Sequence, residues 1–169
     1  MKKILFLLFV VATFSVQAQE FHFGGGLALG TKSGINLDSE DGIGIGFGIN
    51  AFTEYSFTEK ISVNGGFTYF IPSKADIMMG LEMKLTAYQI VADAHYNFLE
   101  GDFGLYGLAG LNFSSAGVTV SDDKGKSEST SDSKVGLDLG VGAAYNVLFG
   151  ELKYDTAMEQ IQFTVGVKF

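Results

Sequence analysis

The sequence predicts an all-β chain, an eight-stranded antiparallel up-and-down transmembrane β-barrel, and three observations lead there. Long segments alternate large apolar residues with small or polar ones. The clearest is Gln160 to Phe169, where Ile161, Phe163, Val165, Val167 and Phe169 interleave with Gln160, Gln162, Thr164, Gly166 and Lys168. A period of two places successive side chains on opposite faces of a strand, whereas a helix would scatter the same residues around its circumference. The alternation recurs eight times behind an amino-terminal segment built like a secretion signal. The chain also holds 23 glycines and one proline, and many of the glycines fall on the less apolar face of the strands.

The composition narrows the classes first. A chain of 169 residues suits one domain. Its formal charge of −8, with 11 lysines and no arginine against 19 acidic residues, lacks the basic footprint of a nucleic-acid binder. With no cysteine, disulfides and thiolate metal sites are excluded.

Residues 1–18 read as a signal peptide. Lys2 and Lys3 give a positive start, Ile4 to Phe14 is apolar, and Val16-Gln17-Ala18 offers small residues where a signal peptidase cuts. The apolar run falls short of the roughly 20 residues that span a bilayer as a helix. Cleavage after Ala18 leaves residues 19–169 as the barrel domain.

The first predicted strand, about Glu20 to Thr31, sets Phe21, Phe23, Leu27 and Leu29 against His22, Gly24, Gly26, Ala28 and Gly30. Lys32 to Gly42 reads as a polar connection. The second, about Ile43 to Phe57, sets Ile43, Ile45, Phe47, Ile49, Ala51 and Tyr55 against Gly44, Gly46, Gly48, Asn50 and Glu54, with Phe52 as an exception. The third, about Ile61 to Ile71, carries Ile61, Val63, Phe67, Tyr69 and Ile71 on its apolar face, and Pro72 suits its end because proline cannot donate to a ladder. Ser73 to Met83 shows no clear register.

The fourth strand, about Lys84 to Phe98, presents Tyr88, Ile90, Ala92, Ala94, Tyr96 and Phe98 against Gln89, Asp93, His95 and Asn97. The fifth, about Phe103 to Ser114, presents Phe103, Leu105, Ala109, Leu111 and Phe113. Ser115 to Ser133 then reads as a long polar loop. The sixth, about Lys134 to Leu148, sets Val135, Leu137, Leu139, Val141, Tyr145 and Val147 against Gly136, Asp138, Gly140, Gly142 and Asn146. Phe149-Gly150 is the expected turn into a short seventh strand with Leu152 and Tyr154 against Glu151, Lys153 and Asp155. Gln160 to Phe169 is the eighth. Connections after strands two, four and six are short, and those after one, three and five are longer and more polar, as in outer-membrane barrels.

The glycines decide which face meets lipid. A solvated strand face is normally filled with long polar residues, since glycine weakens a strand. A narrow eight-stranded interior has room for little else besides glycine and a few large side chains. The apolar face is too bulky for that interior and suits lipid. Tyr55, Tyr96, Tyr145 and Tyr154 are placed near the short-turn ends, and Tyr69 and Tyr88 towards the other, as interfacial aromatic girdles.

With these elements in hand, the mature chain resembles small outer-membrane β-barrels of the OmpX and OmpA-transmembrane-domain type. The resemblance implies a Gram-negative cell envelope. It also implies that the final strand, through Val165, Val167 and Phe169, is the signal read by the barrel-assembly machinery. Val167 is aliphatic where an aromatic residue often stands.

The expected inward polar cluster is Glu54, Asp93, His95, Glu151, Lys153 and Lys168, with His22 nearby, forming a paired network that plugs the lumen. The outer half of the lumen reads as glycine-lined around Gly26, Gly30, Gly44, Gly46, Gly110, Gly136 and Gly140. The function expected is non-enzymatic, structural or surface-interacting, in a monomer surrounded by outer-membrane lipid and without cofactor or metal. The alternatives are a narrow pore or small hydrophobic-solute transporter and, further off, a lipid A-modifying enzyme, which would need its histidine near the outer surface. Ile77-Met78-Met79 and Ser121 to Glu128 are the candidate outer contacts.

Overall fold

The computed structural model describes residues 20–36, 42–77, 81–99, 101–122 and 127–169. The expected signal peptide, Met78, Met79 and residues 123–126 lie outside them. Eight strands form a closed barrel: β1 (Glu20–Ile35), β2 (Ile43–Ser56), β3 (Ile61–Ile77), β4 (Leu81–Leu99), β5 (Phe103–Asp122), β6 (Ser127–Tyr145), β7 (Leu148–Asp155) and β8 (Gln160–Lys168). Each pairs antiparallel with its neighbours in sequence, and β8 returns to β1 from Gly24↔Lys168 to Gly30↔Gln162. Closure leaves no open sheet edge in the part that crosses hydrocarbon, the condition for a strand-built span.

The burial is inverted relative to a water-soluble barrel. Phe21, Phe47, Ile90, Leu111, Leu137, Val141 and Phe163 are exposed on the outside, while Gln89, Asn112, Asp138, Asp155, Gln160 and Gln162 are fully buried inside. The strand alternation therefore sorts a lipid-facing surface from a polar interior, as in outer-membrane barrels.

At the short-turn end, Thr58 Oγ1 accepts from the backbone N–H groups of Lys60 and Ile61 to tighten the β2–β3 turn. Tyr145 pairs with Leu148, so the β6–β7 loop is Asn146-Val147, with Asn146 at φ 53°. The left-handed region is one that asparagine enters more readily than most residues. The turn thus precedes Phe149-Gly150, the expected site, and Phe149 points inward instead. Tyr154 also departs from expectation, because β7 runs from this turn to Asp155 at the opposite end. It belongs to the far girdle.

The far end is taller than the sequence suggests. Ser115 to Asp122 and Ser127 to Ser133 are strand rather than the expected loop: β5 and β6 stay paired from Phe103↔Tyr145 to Ser121↔Ser127. Ser73 to Ile77 likewise pairs with Leu81 to Leu85, giving the unassigned segment a register. Pro72 lies inside β3, at the register shift between Phe70 and Ser73, where a bulge relieves the missing donor. β1 continues to Ile35 through a second shift after Gly30. The described residues of the longer, more polar connections are mostly strand.

The rim is uneven as a result. β6 pairs with β7 only from Asp138↔Asp155 onward, and β2 with β3 only from Gly48↔Phe70. Above those levels β3–β6 rise as a four-stranded panel facing the upper β1–β2 hairpin, and the short β7–β8 hairpin leaves a low side.

Candidate functional site

Inward positions of all eight strands converge on a filled lumen, organised in two tiers. At the short-turn end Glu54 on β2 collects the first. Its carboxylate accepts from Ser62 Oγ at 2.5 Å and from Lys168 Nζ at 3.1 Å, and lies 3.8 Å from His95 Nδ1. The His95 ring stacks on Tyr106, with centroids 5.0 Å apart and planes at 20°. Tyr106 Oη in turn donates to Glu151 Oε1 at 2.8 Å. Both Lys168–Glu54 and Tyr106–Glu151 join strands that are not neighbours in the sheet.

Asp155, at the end of β7, holds the second tier. One of its oxygens accepts from Asn112 Nδ2 at 2.8 Å and from the backbone N–H groups of Ala157 and Met158 at 2.7 and 3.2 Å. The other accepts from Gln89 Nε2 at 2.9 Å and Gln160 Nε2 at 3.3 Å. Asn112 also donates to Asp138, whose second oxygen takes Lys153 Nζ at 2.6 Å. Ser33 Oγ closes the series on Gln160 Oε1 at 2.7 Å. A buried carboxylate needs this density of donors to offset lost hydration.

The six expected cluster residues are thus divided. Glu54, His95 and Lys168 meet at one carboxylate, Glu151 joins them through Tyr106, and Lys153 belongs to the deeper tier. Asp93 is buried between them, and its Oδ1 takes no hydrogen bond from any described residue. Among the described residues the lumen sets Glu54, Asp93, Asp138, Glu151 and Asp155 against Lys153, Lys168 and His95, an acidic surplus. His22 stays at the rim, 3.3 Å from the Glu20 carboxylate and 3.3 Å from the Phe169 carbonyl oxygen, apart from the His95 tier.

Sequence reasoning missed Asp155, Gln89, Asn112, Gln160 and Tyr106 as site residues. Of the aromatic share of the filling it singled out only Phe52, as the exception on the small-residue face of the second strand. Phe52 meets Phe149 edge to face across the lumen at 5.1 Å and 81°, and Phe70 is fully buried. Several of the glycines expected to line the outer half face side chains instead. Gly30 lies against Gln160, Ser33 and Phe70, Gly110 against Asp93, and Gly140 against Lys153. Glycine supplies the space, and these residues occupy it.

Above the second tier the inner surface changes character. Gln89, Asn112 and Ser114 give way along the same faces of β4 and β5 to Leu85, Met83, Ala116 and Val118. With Ile35 and Ile43 from the β1–β2 side they line a cleft of about 350 Å³. A second recess of about 280 Å³ shares Lys32, Ile43, Ala116 and Asp132 and reaches Ala157 and Met158 on the low rim.

A family model described as an outer membrane protein beta-barrel domain matches residues 4–169. Among solved structures, the chain is similar to Ail, the attachment invasion locus protein of Yersinia pestis, at 20% identity and TM-score 0.59, covering 91% of this chain and 100% of that one. It is similar to neisserial surface protein A at 19% identity and TM-score 0.60, covering 90% and 97%. A major outer membrane protein from Thermus thermophilus aligns at 15% identity and TM-score 0.67, covering 90% and 100%. At these identities the likeness is one of fold. A comparison with curated protein sequences gives no match.

Proposed function

The chain belongs to the outer membrane protein β-barrel domain family, and from that premise we propose that it is a non-catalytic barrel with a closed lumen, structural or interacting at the cell surface. The outer membrane is its location. The observation that carries the reading is the bridging of non-adjacent strands across the lumen: Gln89 to Asp155, Tyr106 to Glu151, Lys168 to Glu54 and Phe52 to Phe149. An eight-stranded barrel is already narrow, and such bridges leave little for a solute to pass through. The surface role is supported by the β3–β6 panel, whose outermost residues Ser127 to Lys134 are exposed on both faces.

In this reading the signal peptide is cleaved after Ala18, Val165, Val167 and Phe169 present the assembly signal, and the mature barrel is a monomer in lipid. Planar-bilayer recording on refolded protein tests the closed lumen, with a heat-modifiability gel certifying the folded barrel. We expect no steady conductance from material that is fully shifted on the gel. Steady unitary currents, enlarged by Lys168→Ala, would instead establish the narrow pore. Removal of acyl chains from lipid A by the pure protein, lost in His95→Ala, would establish an enzyme.

A further inference from the structure

The cleft above the second tier is apolar where its surroundings are not. Directly beneath it lie Gln89, Asn112 and Ser114, all buried and each donating to the buried Asp155 carboxylate. Around it the panel carries serine, threonine and charge. Between them Met83, Leu85, Ala116 and Val118, on the same strand faces as Gln89 and Asn112, line with Ile35 a cavity of about 350 Å³, within the range of small-molecule sites. An inward apolar lining above the rim is explained neither by lipid contact nor by the plug.

The charges at the mouth decide the kind of occupant. Lys32 is paired with Glu159 at 3.5 Å and Lys134 with Asp132 at 3.7 Å, so among the described residues there two cations stand beside two carboxylates. A charged ligand would gain one partner and meet a like charge beside it. An uncharged one disturbs neither pair. We propose that this cleft binds one small, uncharged, largely apolar molecule of the medium-chain alcohol class. Its chain lies on Met83, Leu85 and Val118 and its polar end lies towards Thr130. Binding needs no passage through the lumen, because the floor of the cleft is the Asp155 tier.

The test uses refolded full-length mature barrel in lipid nanodiscs, with 13C-methyl methionine as the reporter and 1-octanol as the probe. Met83 lies in the wall of the cleft, so its methyl resonance should shift and saturate. Octanoate and octylammonium, with the same chain and opposite charges, should need about tenfold higher concentration or more, as for losses of comparable size in apolar pockets. Leu85→Asn and Val118→Asn should each raise half-saturation by a similar factor while keeping the heat-modifiable gel shift. A linear, unsaturating drift of the Met83 methyl, or saturation unchanged in both folded variants, would overturn the site. Equal affinity for octanoate would overturn the uncharged class.

Discussion

Gln89 on β4 donates a 2.9 Å hydrogen bond to Asp155 Oδ2 on β7, across the lumen rather than along the sheet. Two strands separated by β5 and β6 on one side are thereby tied at their inward faces. The same carboxylate also fixes the β7–β8 connection through the N–H groups of Ala157 and Met158. One side chain therefore sets both the plug and the low rim. Asp155→Ala should cost on the order of 3–5 kcal/mol, the usual loss when one partner leaves a buried charged network. Urea titration followed by the folded gel band checks it. A double-mutant cycle with Gln89→Leu should return a coupling of about 0.5–3 kcal/mol.

Lys168 and Glu54 make the opposite prediction about repair. Glu54 keeps Ser62 and His95 when Lys168 is lost, so Lys168→Met should destabilise by less than the Asp155 change, about 1–2 kcal/mol. Adding Glu54→Gln removes the stranded charge. The double variant should recover part of the loss in the same urea titration, and an additive double loss would show that the pair is not coupled.

Asp93 has no direct donor on Oδ1, and Lys153 nearby is already paired with Asp138. Asp93→Asn removes buried charge while keeping shape. It should be neutral or stabilise by about 1 kcal/mol, since a buried carboxylate oxygen without a donor is a cost to the fold. A clear fall in the urea midpoint would mean that Asp93 carries an interaction that this geometry does not contain.

Two glycines on neighbouring strands should behave differently. A Cβ on Gly142 would run into the Tyr106 ring, which lies over that glycine to reach Glu151, whereas one on Gly150 meets only Thr164 O, at 3.9 Å. Gly142→Ala should cost about 1–3 kcal/mol as overpacking. Gly150→Ala should be neutral or slightly stabilising. Thermal retention of the folded gel band compares them.

The outer surface divides at the rim. Leu111 and Leu137 are paired with each other and both exposed on the outside. Either changed to lysine at mid-membrane depth should cost about 2–4 kcal/mol. Ser129→Lys, on the panel beyond the β7 pairing, should change stability by less than about 0.5 kcal/mol. Unfolding from lipid vesicles measures both.

The alternating residues made the eight strands and their faces legible, and with them the inward side of Glu54, Asp93, His95, Glu151, Lys153 and Lys168. Lipid imposes that clarity, since an outward position in hydrocarbon tolerates little besides apolar side chains. Where lipid ends, so does the signal. Ser127 to Ser133 is polar towards both sides, and Ser115 to Asp122 carries only the small apolar residues Ala116, Val118 and Val120 on one face, so their strands could be seen only once backbone pairing was known. Phe149 was misplaced as a turn residue, and Phe70 and Tyr106 were given no face, for a related reason, while Phe52 stood out only as an exception. A single aromatic can face a lumen wherever a glycine beside it makes room, as Gly142 does for Tyr106.

By itself the sequence determined the architecture, the lipid-facing belt and the polar lining, because alternation is a local property of each strand. Only the tertiary structure decided which inward residues meet. Gln89 and Asp155, or Lys168 and Glu54, are distant in sequence and separated within the sheet. They become partners because barrel closure and register bring their inward faces to one level. The uneven rim and the apolar cleft above Asp155 have the same origin: how far each pair of strands remains bonded is fixed by the register of the closed barrel.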